Sequence, residues 1–157
     1  MSRVILEIEQ TESWNLISAS DEKLKSWGID PNRGFMLLGR PGVGKTTILE
    51  SHRDLQKKKL PILTSKNVSR GEIKYNGFSF DHKNYDVYLD DLGIEELKNN
   101  EYGQISYPIL DFLEDRYEIF VKIGIKTHVS SNLNLHELKS RYKERFESRM
   151  YAMFNIS

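Results

Sequence analysis

The chain has 157 residues, 38% of them hydrophobic and 29% charged, the make-up of one globular domain with a real core and not of a disordered or fibrous chain. It contains no cysteine, which excludes disulfides, thiolate-bound zinc and thiol catalysis. Lys plus Arg and Asp plus Glu both number 23, so a uniformly basic nucleic-acid binder is excluded, although residues 81–118 hold eleven acids and three bases and leave a balance of +8 to the rest.

Short β-rich runs alternate with longer helical stretches, which predicts an α/β fold around a parallel sheet. Residues 4–8 alternate as a short strand. Residues 20–27 read as a helix, with Ser20 as N-cap and Gly28 as stop. Residues 35–38 are an apolar run closed by Gly39, a buried strand. A helix over 45–58 and a short strand over 61–64 follow. Residues 65–80 show no clear period. Residues 87–89 form a buried strand that ends in two acids. Residues 104–118 read as a helix with Ile105, Ile109, Phe112 and Leu113 on one face, weakened in its first turn by Pro108. A strand over 126–130, helical pieces over 135–142 and 144–151, and a last strand beginning over 152–156 complete the reading. The longest apolar runs are about four or five residues, far below the ~18 that span a bilayer. Acids at Glu7 and Glu9 break the start too early for a secretory signal. The expectation is a soluble cytoplasmic protein without a membrane partner.

Gly39-Arg40-Pro41-Gly42-Val43-Gly44-Lys45-Thr46 matches G-x-x-x-x-G-K-[ST] and lies between an apolar strand and a helix, the context that a P-loop requires. Its glycines let the backbone wrap a phosphate with successive N–H groups pointing inward. The helix that begins near Gly44 offers its N-terminus to the anion. Lys45 supplies a mobile charge for the β- and γ-phosphates, and the Thr46 hydroxyl ligates Mg²⁺. The expected nucleotide-binding set is Gly39, Pro41, Gly42, Val43, Gly44, Lys45, Thr46 and Thr47.

Val87-Tyr88-Leu89-Asp90-Asp91 is a Walker B pattern, a buried strand ending in two carboxylates. Asp90 is expected to hold Mg²⁺, directly or through water. Asp91 sits past the strand end, where a base polarises the attacking water. The gap back to the P-loop holds a helix, a strand and a further connection, so the Walker B strand is not the next in sequence. That favours an ATPase with an inserted strand over a simple nucleotide kinase. The β run Thr127-His128-Val129-Ser130-Ser131 ends in Asn132, which at a strand's carboxyl end can orient the lytic water; Asn134 reads as the N-cap of the next helix. Arg145 and Arg149 are spaced i, i+4 and share a helix face. One of them can complete a neighbour's site as an arginine finger, or both can be solvated charges paired with Glu144 and Glu147.

The P-loop, Tyr88-Leu89-Asp90-Asp91-Leu92-Gly93, Ser130-Ser131-Asn132 and Arg145-Phe146-Glu147-Ser148-Arg149-Met150 together resemble the helicase-loader ATPases of the DnaC/DnaI type, an AAA+ group close to DnaA and the IstB transposition helpers. The resemblance covers about residues 30–156. It implies a P-loop NTPase three-layer sandwich whose Walker A and Walker B strands are separated by an inserted strand, with ATP and Mg²⁺ as cofactors. It implies an AAA+ core over 31–157 behind a short extension over 1–30; the expectation departs from the family pattern in having no evident helicase-binding region and no evident sensor 2 segment. By the same resemblance Lys45 and Thr46 are Walker A, Asp90 and Asp91 Walker B, Asn132 sensor 1, and Arg149 the finger acting in trans with Arg145 in support. Trp27-Gly28-Ile29 would border the adenine. The implied partners are further copies or related AAA+ subunits, a replicative helicase or a transposase, and single-stranded DNA. The DNA would meet Lys66, Arg70, Lys74, Tyr75 and Phe78 along a central channel. The basic run Lys57-Lys58-Lys59 reads either as cations that complement the end of the P-loop helix or as a contact to the DNA backbone. The function expected is ATP hydrolysis in service of replication or transposition machinery. The same motifs also suit a nucleotide-gated adaptor with little hydrolysis or, less well, a small-molecule P-loop kinase.

Overall fold

The computed structural model describes residues 15, 18–42, 44–56, 60–72, 74–75, 78–79, 82–95, 98–99, 105–106 and 108–155. The strand expected over 4–8, the basic run over 57–59 and Val43 lie outside them.

Local chemistry sets the first elements. Helix α1 (Asp21–Ser26) starts where the Ser20 hydroxyl accepts the Lys23 N–H at 3.3 Å, satisfying one of the donors a helix start leaves open. Asp21 and Glu22 fill its first turn, the sign of charge the helix dipole favours there. All five residues of β1 (Gly34–Leu38) are buried. Helix α2 (Lys45–Asp54) ends four residues short of the expected 58. Leu55, which follows it, is largely exposed, so no core contact extends the helix. After β2 (Ile62–Thr64) comes a single helical turn, α3 (Ser65–Ser69), capped by the Thr64 hydroxyl on Asn67 N–H at 3.2 Å. Residues 65–80 therefore hold α3 and an antiparallel pair, β3 (Lys74–Tyr75) and β4 (Phe78–Ser79). A 3₁₀ turn (His82–Asn84) leads into β5 (Val87–Asp90). A second antiparallel pair joins β6 (Lys98–Asn99) to β7 (Ile105–Ser106).

Helix α4 (Pro108–Ile123) replaces the helix expected over 104–118. Proline lacks an N–H, which the first helical residue does not need, and its φ is already helical. Pro108 therefore starts the helix rather than weakening it, and Ile105 belongs to β7. Next come β8 (Thr127–Ser131), α5 (Leu135–Met153) and β9 (Phe154–Asn155). Asn134 and Glu137 form a reciprocal capping box at the start of α5, at 2.8 and 3.2 Å. The expected split of this helix is present: Lys143 breaks it with φ 60°, ψ −154°.

Five strands form one parallel sheet in the order β2-β5-β8-β1-β9. The strand before the P-loop (β1) and the strand ending at Asp90 (β5) thus have β8 between them in space. The strand inserted in sequence, β2, lies outside β5. Alternate residues of a strand face opposite sides. Phe35, Leu37 and Tyr88 pack with Leu24 of α1 and with Ile48 and Leu49 of α2. Met36, Leu38, Val87, Leu89 and Val129 pack with α4 and α5. This is a three-layer sandwich and a P-loop NTPase fold, as expected. Strand β1 runs so close to β8 that a Cβ on Gly34 would meet the Thr127 carbonyl oxygen at 1.7 Å. At the same edge the guanidinium of Arg116, fully buried, donates to Thr127 Oγ1 and to the carbonyls of His82, Tyr85 and Lys126.

Candidate nucleotide site

Register brings the predicted motifs to one edge. Leu38 pairs with Ser131, Leu89 with Val129, and Thr64 with Asp90. The P-loop, Asn132, Asp91 and Ser65 each follow directly on one of these strand ends. In a parallel α/β sheet this carboxyl edge is where ligands bind.

The loop from Gly39 to Thr46 leaves β1 and enters α2. Gly39 N–H donates to Ser131 O at 3.2 Å. Gly42 and Gly44 have φ of 87° and 90°, a region that costs glycine little and other residues much. Gly44 at the N-cap offers no capping side chain, so the helix start keeps its backbone donors for an anion. Lys45 is buried, and its ammonium donates to Gly39 O and Arg40 O, both at 2.7 Å. Burial pulls the Lys45 pKa below its ordinary value, while Asp91 and Asp90 pull it up. Pro41 and Thr47 are exposed beside the loop.

Thr46 Oγ1 lies 3.0 and 3.2 Å from the two carboxylate oxygens of Asp90. Asp90 Oδ1 also accepts from the Ser130 hydroxyl, which in turn accepts the Asp91 N–H at 3.1 Å. Hydroxyl and carboxylate oxygens are the hard donors that Mg²⁺ takes. Among the described residues no group of three or more His, Cys, Asp or Glu could hold a metal by itself. The protein thus offers a pair of oxygens at Thr46 and Asp90 and leaves other positions to phosphate and water, as Mg²⁺ sites in nucleotide-binding proteins do. The residues fit that ion.

Asp91 takes the left-handed conformation, with φ 58°. Burial raises the pKa of its carboxyl, the neighbouring Asp90 raises it further, and Lys45 opposes both. A carboxylate made more basic in this way is suited to accept a proton. Ser131 Oγ donates to Leu92 O at 2.5 Å, and Leu92 N–H donates to Ser130 O at 2.9 Å. Ser65 Oγ lies 2.5 Å from Asp91 O. Sequence reasoning gave no role to these three serines. Their only signal was the hydroxyl pair at the end of a short β run and a serine after a strand. Asn132 is exposed one residue beyond β8.

Arg145 and Arg149 do not join this edge of their own chain. Arg145 forks onto Glu114 at 2.7 and 2.9 Å and onto Asp111, both on α4, so its partners are across the helix pair and not Glu144 or Glu147. Its hydrogen bonds hold the Glu114 carboxyl below its ordinary pKa. Arg149 is 3.9 Å from Glu114 and lies over the Tyr117 ring at 5.6 Å. Only one turn of α5 separates it from β9, whose Phe154 pairs with Gly34 at the start of β1.

At that opposite edge of the sheet, a cavity of about 250 Å³ is lined by Ile29, Phe35, His52, Lys126, His128 and Asn155, among others. Ile29 is one of the residues lining this cavity. His52 Nδ1 is 2.7 Å from the Tyr88 hydroxyl, and His128 Nδ1 accepts the Phe35 N–H at 3.2 Å. Burial, then the Lys126 charge, lowers the His52 pKa to about 4.

No family model matches the chain, and no curated protein matches it. Among solved structures it is similar to the crystal structure of the DnaC helicase loader, at 20% identity and a TM-score of 0.56, over 94% of this chain and 88% of that one. At that identity the likeness is one of fold.

Proposed function

We propose that this chain, on the fold it shares with the DnaC helicase loader, is a Mg-ATP-dependent ATPase of the loader type. One observation carries the reading: the P-loop hydroxyl of Thr46 rests on the Asp90 carboxylate at 3.0 Å, with Asp91 as the next residue at the same sheet edge. A Gly-rich turn without nucleotide chemistry needs no such pairing.

Lys45 exchanges the carbonyls of Gly39 and Arg40 for the β- and γ-phosphates. Thr46 and Asp90 would hold Mg²⁺, which when bound neutralises charge on the phosphate oxygens. Ser130 keeps Asp90 oriented and fixes the backbone of Asp91. Asp91 takes the proton of the attacking water, and Asn132 orients that water. Arg149 serves a neighbouring copy. Its place near the far edge of its own sheet supports action in trans, where it stabilises the charge of the transition state. Self-association therefore belongs to the proposal. So do a helicase or transposase as the protein acted upon, and single-stranded DNA as ligand near the exposed Lys66 and Arg70.

The test is ATP turnover per protomer over a wide range of protein concentration, with and without single-stranded DNA. Specific activity is expected to rise with concentration. Arg149→Ala should keep nucleotide affinity within about twofold and lose about 10³-fold or more in turnover, the range removed with such a finger. Unchanged turnover in that variant would sink the assignment, and nucleotide binding without turnover at any concentration would leave an adaptor instead of an enzyme.

A further inference from the structure

We propose that Glu95 is a positioning residue for Asp91, holding the loop after β5 in the conformation that aims the base; this rests on the ATPase reading above. Glu95 stands four residues beyond Asp91 and is only 3% exposed. Its carboxylate collects donors from three separate parts of the chain. Oε2 accepts the Gly93 N–H at 2.8 Å and faces the Ser65 hydroxyl of α3 at 3.0 Å. Oε1 accepts the Tyr142 hydroxyl of α5, and Arg141 of the same helix approaches it at 3.9 Å. The Glu95 carbonyl also accepts from Arg141.

A buried carboxylate is costly unless its oxygens are met, and these are met from the loop, α3 and α5 together. The loop needs such a tether. Asp91 and Gly93 both sit at positive φ, 58° and 100°, so the turn does not follow from ordinary backbone preference. Its front half is held from β8, by Ser130 on Asp91 N–H and Leu92 N–H. Its back half is held by Glu95, through the Gly93 N–H and through Ser65, which also touches Asp91 O. The direction of the Asp91 side chain is set by this backbone. A base displaced by a fraction of an ångström loses rate without losing nucleotide, because the P-loop binds and the loop only aims.

The experiment compares Glu95→Gln and Tyr142→Phe with the wild-type chain and with Asp91→Asn. The readouts are kcat, KM for ATP, the Kd of a fluorescent ATP analogue, melting temperature, and hydrogen exchange of the segment 91–95. Glu95→Gln keeps the shape but cannot accept from every donor. It should lower kcat by about ten- to a hundredfold, the scale of a small misplacement, with KM and Kd within about twofold. Segment 91–95 should exchange faster while the P-loop helix is unchanged. Tyr142→Phe should act in the same direction and less, and the double variant should be no worse than Glu95→Gln alone, since both act through one carboxylate. An unchanged kcat overturns the proposal, and so does a kcat that falls only together with Kd and melting temperature. If the wild type turns over no faster than Asp91→Asn, it is the ATPase reading that has failed. Exchange then decides for Glu95: faster exchange confined to 91–95 upholds the tether, and equal protection removes it.

Discussion

Ser130→Ala isolates the bridge between the two Walker B carboxylates. Ser130 is fully buried, and its hydroxyl both donates to Asp90 and accepts from Asp91 N–H. The substitution leaves a buried N–H unmet, about 1–3 kcal/mol, and takes a donor from an ionised carboxylate, about 1.5–3 kcal/mol. The two overlap, so the expected loss is about 2–4 kcal/mol. For a domain of this length about 1 kcal/mol moves the melting temperature by roughly 2–4 °C, which places the variant on the order of 10 °C below wild type. Asp90 also loses its orientation, and Mg²⁺ dependence of nucleotide binding should weaken roughly tenfold, the lower end for an outer-shell partner. Thermal melting and Mg²⁺ titration of nucleotide binding measure the two parts. A drop below about 2 °C with an unchanged Mg²⁺ titration would show that Asp90 and Asp91 hold their places without the bridge.

Stability should depend on pH through His52. Its folded pKa of about 4 lies below the ordinary value, so the unfolded chain takes a proton near pH 6.5 that the folded chain refuses. Stability is therefore full well above pH 6.5 and falls as pH drops toward 4, by about 1.5 kcal/mol between pH 6.5 and 5. His52→Asn, which cannot titrate, should show a smaller fall in melting temperature between pH 7 and 5, and equal falls would refute the assignment. Gly34→Ala would set a methyl carbon 1.7 Å from the Thr127 carbonyl oxygen and force β1 from β8. Loss of cooperative melting is expected, and a wild-type melting curve would disprove the close approach.

Much of the candidate nucleotide site was legible because its parts are contiguous in sequence. The P-loop, the acids after β5 and the run into Asn132 each occupy one short stretch, and a parallel sheet delivers all three to one edge. Apolar runs marked β1 and β5 because buried parallel strands are apolar on both faces, whereas β8, Thr127-His128-Val129-Ser130-Ser131, is mostly polar and showed only as a short β run. The supporting shell was not legible. Ser65, Glu95, Ser130 and Tyr142 are scattered from 65 to 142 and meet only after the sheet forms. A five-residue helix such as α3 is too short to show a period, so nothing in 65–80 revealed it. The start of α4 was misplaced because Pro108 was weighed as an obstacle inside a helix and not as its first residue. The partners of Arg145 were missed for a related reason: Glu144 and Glu147 are near in sequence, whereas Asp111 and Glu114 come near only when α4 and α5 pack.

The break at Lys143 gives α5 a mechanical character. Four of its five buried residues, Leu138, Tyr142, Phe146 and Met150, recur every fourth position, and Met153 follows three residues on. In a straight helix each such step overshoots a full turn by about 40°, so the row would wander about 120° around the axis. The break at Lys143 interrupts the row between Tyr142 and Phe146 and makes the helix a limb with a joint. One arm is fastened through Arg141 and Tyr142 to the loop that carries Asp91, the other through Arg145 to α4. Lys139 reaches over the joint to Tyr151 at 2.6 Å, like a tendon on its inner side. The bent backbone at Lys143 costs about 1–3 kcal/mol, held by fastenings on both arms. Any movement that loosens one arm would return part of that cost.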